Sequence, residues 1–269
     1  MHHRSGFTLI EMSIVLIIIG LIIGGIVVGR DLIHAAQIRQ QAKQFESINA
    51  AVYTFKAKYN CLPGDCPNAT EFFGALATPT NGVACASVPS NGTLTCDGNG
   101  DGQIAPVPLG QPPTIEQGSN YEMGHFWVQL SAAYLFPGNY NGLVDITYNS
   151  GTPGVNFPAT TIGSDTGIQL TSLPTGGIYG GDIFRWPITI SGHVFEVGAM
   201  SNGGGSTGPW LSASDAFMLD SKIDDGLPSS GILHAWAPAY APLCATAWDN
   251  AQYQSGTAIA CNFYWIAGF

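Results

Sequence analysis

The sequence predicts an α+β protein. A long N-terminal α-helical stem, membrane-crossing in its first half, packs on a mainly antiparallel β-sheet head with long loops and one or two short extra helices. Three observations carry this reading. Phe7 to Gly29 is an apolar run with one ionisable side chain, Glu11. A stripe of apolar residues at helical spacing follows it, from Ile38 to Tyr59. Beyond that lie most of the glycines and all of the prolines, with short β-branched and aromatic runs between them, the pattern of strands joined by turns.

As a helix, Phe7 to Gly29 is roughly 35 Å long, enough for a hydrocarbon core of about 30 Å. In a secretory signal peptide the cleavage site follows the apolar core. Here the candidate cleavage point, Gly6, precedes it, so the run is retained. The chain therefore divides into a leader (1–6), a membrane segment (7–29), an amphipathic continuation of the same helix (30–60) and a head (61–269). Arg4, with His2 and His3, biases the leader toward the cytoplasm and the head outward, while Arg30 on the far flank weakens that bias.

Glu11 is the residue that needs a reason. A carboxylate at this depth costs at least about 2.5 kcal/mol, and no Lys or Arg lies in the span to pair with it. Cleavage after Gly6 would give Phe7 an α-amino group that is cationic near neutral pH. That amine and the Glu11 of a neighbouring chain can neutralise each other in a packed filament, which would set the stagger between subunits.

Gly6-Phe7-Thr8-Leu9-Ile10-Glu11 and the apolar run after it resemble the signature of type IV pilins and of the pseudopilins of type II secretion. The resemblance implies a prepilin peptidase that cuts after Gly6 and methylates Phe7, with Glu11 guiding assembly. It also implies other pilin or pseudopilin subunits as partners, and residence in the bacterial inner membrane, head in the periplasm, before incorporation into a pilus or pseudopilus. Many pilins carry a helix-kinking proline late in this segment. This chain has none and places Gly20, Gly24, Gly25 and Gly29 there, two small faces that let helices approach closely. The expected role is a structural subunit, a minor or large pilin. The alternatives are a type II secretion pseudopilin and, behind it, a membrane-tethered adhesin or binding protein.

From Arg30 the helix is expected to continue, with Ile38, Ala42, Phe45, Ile48, Val52, Phe55 and Tyr59 docked on the head, and to end at Cys61-Leu62-Pro63-Gly64-Asp65. Beyond Tyr59 the basic side chains are Arg185 and Lys222, against fifteen carboxylates. Such a head repels phosphate backbones, so no nucleic-acid partner is expected.

Six cysteines in a chain that leaves through a membrane read as disulfides. Short loops favour neighbours: Cys61 with Cys66, Cys85 with Cys96, and Cys244 with Cys261. No Cys-x-x-Cys occurs and no His lies near a Cys, which argues against zinc. The last pair would close a loop resembling the C-terminal disulfide loop of many pilins.

Pro67 to Pro113 reads as loop. Within it, Asp97-Gly98-Asn99-Gly100-Asp101-Gly102-Gln103-Ile104 follows the opening of an EF-hand loop, but Pro108 stands where the bidentate Glu belongs. The expectation is a shorter structural Ca2+ loop using Asp97, Asn99 and Asp101, completed by Glu116 or a backbone carbonyl. Its rival is a metal-free Asx/Gly turn. Calcium-bound heads among pseudopilins, to which the chain is similar, make the former relevant, and no other cofactor is required.

Ser119 to Glu122 forms a capping box that opens a helix with Met123, Phe126, Trp127, Leu130, Ala133 and Tyr134 on its apolar face, stopped by Pro137-Gly138. The run from Glu122 to Leu130 resembles a segment of large pilin-like heads, and His125 is expected on the helix surface. Strands are predicted at Leu143–Tyr148, Ile168–Ser172, Ile178–Phe184, Trp186–Ile190, His193–Ala199, Ile232–Trp236 and Ile259–Trp265, with a hairpin turn at Ser191-Gly192. Gly204 to Gly208 spells Gly-x-Ser-x-Gly. Set in a glycine loop that ends at Pro209, it is not expected to be a nucleophile elbow. A second capping box at Ser212–Asp215 opens a helix ending near Asp224, where Asp220, Asp224 and Asp225 crowd the wrong end of the helix dipole. They mark a cation site, a contact surface or a solvated turn. Few ionisable residues and no acid–base–nucleophile set argue against an enzyme.

Overall fold

The computed structural model describes residues 8–76, 89–104, 120–143, 151–173, 192–201, 204–236, 244–246 and 251–269. The expected strands at Ile178–Phe184 and Trp186–Ile190, the turn at Ser191, and all but Leu143 of the segment ending at Tyr148 lie outside these residues.

Helix α1 runs unbroken from Leu9 to Tyr59, 51 residues, or about 77 Å at 1.5 Å per residue. Thr8 caps it, and it ends where Asn60 turns left-handed (φ 57°) with its N–H on the Lys56 carbonyl. Large apolar side chains from Leu9 to Ile33 stand exposed, whereas Ile38, Gln41, Ala42, Phe45, Ile48, Ala51, Val52 and Phe55 are buried. The distal half alone is thus docked on the head.

The sheet is antiparallel, with β1 (Thr166–Leu173), β2 (Gly192–Ser201), β6 (Ile259–Ile266) and β4 (Leu211–Ser212) in that order, β3 (Gly204–Gly208) beside β2 and β5 (Leu233–Trp236) beside β6. Its register puts Ile168, Leu170, Phe195, Val197, Leu233, Ala235, Phe263 and Trp265 on one face. Those residues form the core with the distal half of α1. At its centre Phe45 stacks on Trp265 (centroids 4.8 Å apart), which stacks on Phe195 (4.7 Å). Each large aromatic buried this way is worth several kcal/mol.

Three short helices complete the described head: α2 (Ala69–Phe73), α3 (Asn120–Ala132) and α4 (Ala213–Ile223). Ser212 caps α4, its hydroxyl accepting from the Asp215 N–H (3.2 Å) and donating to the Asp215 carboxylate (2.7 Å). Helix α2 falls in the stretch expected to be loop.

Two further expectations for the head are corrected. Gly204–Gly208 is a strand, not a glycine loop. Its backbone lies so close to β2 that a Cβ at Gly198 would meet the Gly208 carbonyl at 2.5 Å and that of Ser206 at 2.7 Å. Glycine permits this approach. Helix α3 stops at Ala132, before Pro137, and Tyr134 leaves the apolar face. It turns left-handed (φ 58°) and is 93% exposed. The amides of Leu135 and Phe136 close instead on the Leu130 carbonyl, a C-terminal capping arrangement that needs a left-handed residue.

Candidate functional site

The N-terminal end of α1 is built from Thr8 and Glu11. The Thr8 hydroxyl accepts from the Glu11 N–H (3.3 Å), and Glu11 Oε2 accepts from the Thr8 N–H (2.7 Å) and the Thr8 hydroxyl (2.7 Å). Glu11 therefore has neutral partners inside its own chain, where the absence of Lys and Arg suggested none. The signal was present as Thr-x-x-Glu, a capping box. Both carboxylate bonds use Oε2, leaving Oε1 without a partner among the described residues. Gly6 and Phe7, the expected cleavage and methylation pair, lie outside the described residues.

Around Glu11 the surface is hydrocarbon. From Leu9 to Val28 the exposed large side chains, Glu11 apart, are Leu, Ile, Val and Met, and Arg30 and Asp31 follow, also exposed. Among the described residues, α1 is the one helix long and apolar enough to cross a membrane. Where this surface ends, His34 Nε2 meets Asp215 Oδ1 of α4 at 2.6 Å, tying stem to head.

The loop expected to hold calcium is organised differently. Its centre is Asp65, buried, which accepts from the N–H groups of Gly100 (2.7 Å), Asp101 (3.2 Å) and Gly102 (2.9 Å). Burial pushes the Asp65 carboxyl up, against the pull of the Gly102 and Gly100 bonds and with help from the nearby Asp101 charge. Asp97 accepts from the Thr70 N–H (2.7 Å) and hydroxyl (3.0 Å) at the start of α2. The Asn99 amide donates to Asp101 (3.0 Å). The loop's inward N–H groups thus form a nest that the Asp65 carboxylate fills.

One stripe of α3 locks this region. Gln129 accepts from the Gly64 N–H (2.7 Å) and donates to the Thr95 hydroxyl and the Cys96 carbonyl (both 3.2 Å). Glu122 accepts from the Asn99 N–H (3.1 Å), and His125 Nδ1 meets the Thr95 hydroxyl (3.0 Å). His125 is fully buried, not on the surface as expected. At helical spacing Glu122, His125 and Gln129 share a face, and stapled loops cover it. Cys61 is bonded to Cys66 (Cα separation 5.0 Å) and Cys244 to Cys261 (5.1 Å). Cys85, and with it the expected Cys85–Cys96 pair, lies outside the described residues.

Asp220, Asp224 and Asp225 each bring an oxygen within 4.8 Å of the others. Each also holds backbone or side chain: Asp220 accepts from the Tyr253 hydroxyl (2.7 Å), Asp224 from the amides of Ile232 and Leu233, and Asp225 from the Leu227 N–H (2.8 Å) and the Ser230 hydroxyl (2.6 Å). Burial, opposed by the Tyr253 and Gly226 bonds and aided by the other two carboxylates, pushes Asp220 up to about 7. This triad shapes the turn between α4 and β5.

The far face of the sheet is polar and buried. Across β1, β2, β6 and β5 the register aligns Gln169, Glu196, Tyr264 and His234, with Asn262 and Thr171 nearby. Burial alone pushes Glu196 up to about 7 and holds His234 below its usual range despite its bond to Gly231 and the charges of Asp224 and Asp225. Ser206 is buried too, its hydroxyl against Met200 Sδ (3.6 Å). No acid–base pair approaches it among the described residues.

Residues 1–27 match the family model described as the prokaryotic N-terminal methylation motif, and this motif is the signature of type IV pilins and pseudopilins. Neither the curated proteins nor the solved structures contain a match to this chain.

Proposed function

We propose that this chain is a structural subunit of a type IV pilus-like filament, a minor or large pilin. In this reading prepilin peptidase cuts after Gly6, Phe7 is N-methylated, and the stems of neighbouring subunits pack together with Glu11 facing the N-terminus of the next chain. One observation carries it: a stem whose large apolar side chains from Leu9 to Val28 all stand exposed, with Glu11 as the single ionisable group in that stretch, in a chain with the methylation motif. Hydrocarbon of that extent is stable in a bilayer or against copies of itself, and not in water. Glu11 Oε1 is the atom left for the incoming amine.

The test is a pair of variants in cells with an active prepilin peptidase. Gly6→Ala should remain full length, and shortening at the normal position would overturn the processing step. Glu11→Ala should be shortened normally yet be depleted from sheared filaments. Incorporation at the native level would refute the pairing. Imaging with an antibody to the head separates a pilus at the cell surface from a short periplasmic pseudopilus, because the same signature serves both.

A further inference from the structure

A concave surface of about 530 Å³ opens where the end of α3 meets the loop around Asn91. Its two walls are fixed to each other. The Ser90 N–H donates to the Asn141 carbonyl (2.7 Å), and Gly92, with φ 89°, sits where a Cβ would overlap the Asn139 amide. None of the residues lining it is charged. The side-chain amides of Asn91 and Asn139 line it, the Asn91 oxygen accepting from the Thr93 N–H and hydroxyl and from the Leu94 N–H. The hydroxyls of Thr93 and Ser131 donate inward, to Asn91 and to the Gly138 carbonyl, and keep their lone pairs for a ligand.

Tyr134 stands on the rim. It occupies the left-handed position after α3, where glycine is the residue of least cost and a bulky side chain is an outlier. Its ring is 93% exposed, so it adds nothing to the core. The cap needs a left-handed residue there but not an aromatic one, so the fold does not account for a bare ring beside the cleft.

We infer that this cleft binds a neutral saccharide. The face of an exposed aromatic ring takes the C–H face of a sugar ring. Neutral amides and hydroxyls match its hydroxyl groups, which both donate and accept. The lack of charge gives no purchase to phosphate, carboxylate or ammonium ligands. The shallow, open form suits a ring lying flat better than an apolar peptide anchor, which needs a deep pocket. This site is independent of the stem and of the assembly reading.

The experiment uses the full chain in a detergent without a sugar headgroup, probed on an array of neutral mono- and oligosaccharides and then by saturation-transfer NMR with those retained. Binding is expected for at least one, with saturation strongest on its C–H protons. Tyr134→Gly should weaken it at least about tenfold, as loss of a central aromatic anchor does, without lowering the melting temperature, because glycine suits the left-handed position. Asn139→Ala should weaken it as well. No retention of any neutral saccharide at millimolar concentration overturns the inference. So does binding unaffected by Tyr134→Gly, or selection of a peptide from a random library with no sugar competing.

Discussion

Replacing Glu196 by Gln tests the buried polar face of the sheet most directly. Glu196 is 2% exposed, and no partner reaches its Oε1 among the described residues. Burial lifts its carboxyl from an ordinary 4.5 to about 7. Between those values the folded chain binds a proton that the unfolded chain has released. Stability therefore falls as pH rises from about 4.5 to about 7 and is flat above, the sign expected when the folded state holds more protons. At about 1.4 kcal/mol per pH unit the loss is about 3 kcal/mol, an upper figure because buried sites relax. The Gln variant has no proton to lose. It should therefore equal the parent near pH 4.5 and exceed it by up to about 3 kcal/mol at pH 8. Asp220, also pushed up to about 7, lowers stability over the same window, while His193 and His234, held low by burial, lower it as pH falls. All three are common to both proteins and cancel in the difference. The assay is urea unfolding in detergent, followed by the fluorescence of the buried Trp127 and Trp265 at half-unit steps of pH. Parallel curves for the two proteins from pH 4.5 to pH 8 would refute the reasoning.

Three other outcomes follow from the packing. Phe45→Ala opens a cavity against Trp265 and should cost about 3–5 kcal/mol, read as a lower unfolding midpoint with early protease access to the head. Asp65→Ala leaves three backbone N–H groups around an empty centre and should destabilise by about 2–4 kcal/mol, with rapid hydrogen exchange at Gly100–Gly102. Millimolar calcium, or its chelation, should leave the melting temperature of the full chain unchanged. A rise of several degrees with calcium would show that the loop re-forms to release Asp97 from Thr70.

The stem was legible because periodicity and hydropathy are local. The stripe from Ile38 to Phe55 is buried as spaced, and β1, β2, β5 and β6 fall on their predicted runs. What escaped was decided by tertiary contact. His125 looks like a surface residue until the loop around Thr95 covers it. Asp65 looks like part of a helix stop until the amides of Gly100–Gly102 close on its carboxylate. Gly204–Gly208 has the composition of a loop and becomes a strand because β2 offers it an edge. Tyr134 fits the apolar period of α3, and its departure is set by a capping geometry that hydropathy does not encode. The capping box at Thr8–Glu11 is written in the sequence as Thr-x-x-Glu, a neutral pairing that charge counting alone does not reveal.

Strand β6 occupies residues 259–266 of 269, yet it lies between β2 and β5. The halves of the sheet flanking it therefore cannot join until residues 259–266 have emerged. Trp265 must then travel back more than two hundred positions to meet Phe45, while Tyr53 hydrogen-bonds the Gly268 carbonyl and Phe269 stacks on His193. Contacts of such long sequence separation close slowly. During synthesis the exposed face of the stem's distal half and the open edges of β2 and β5 have no cover. Until β6 arrives, those surfaces are open to association with other chains.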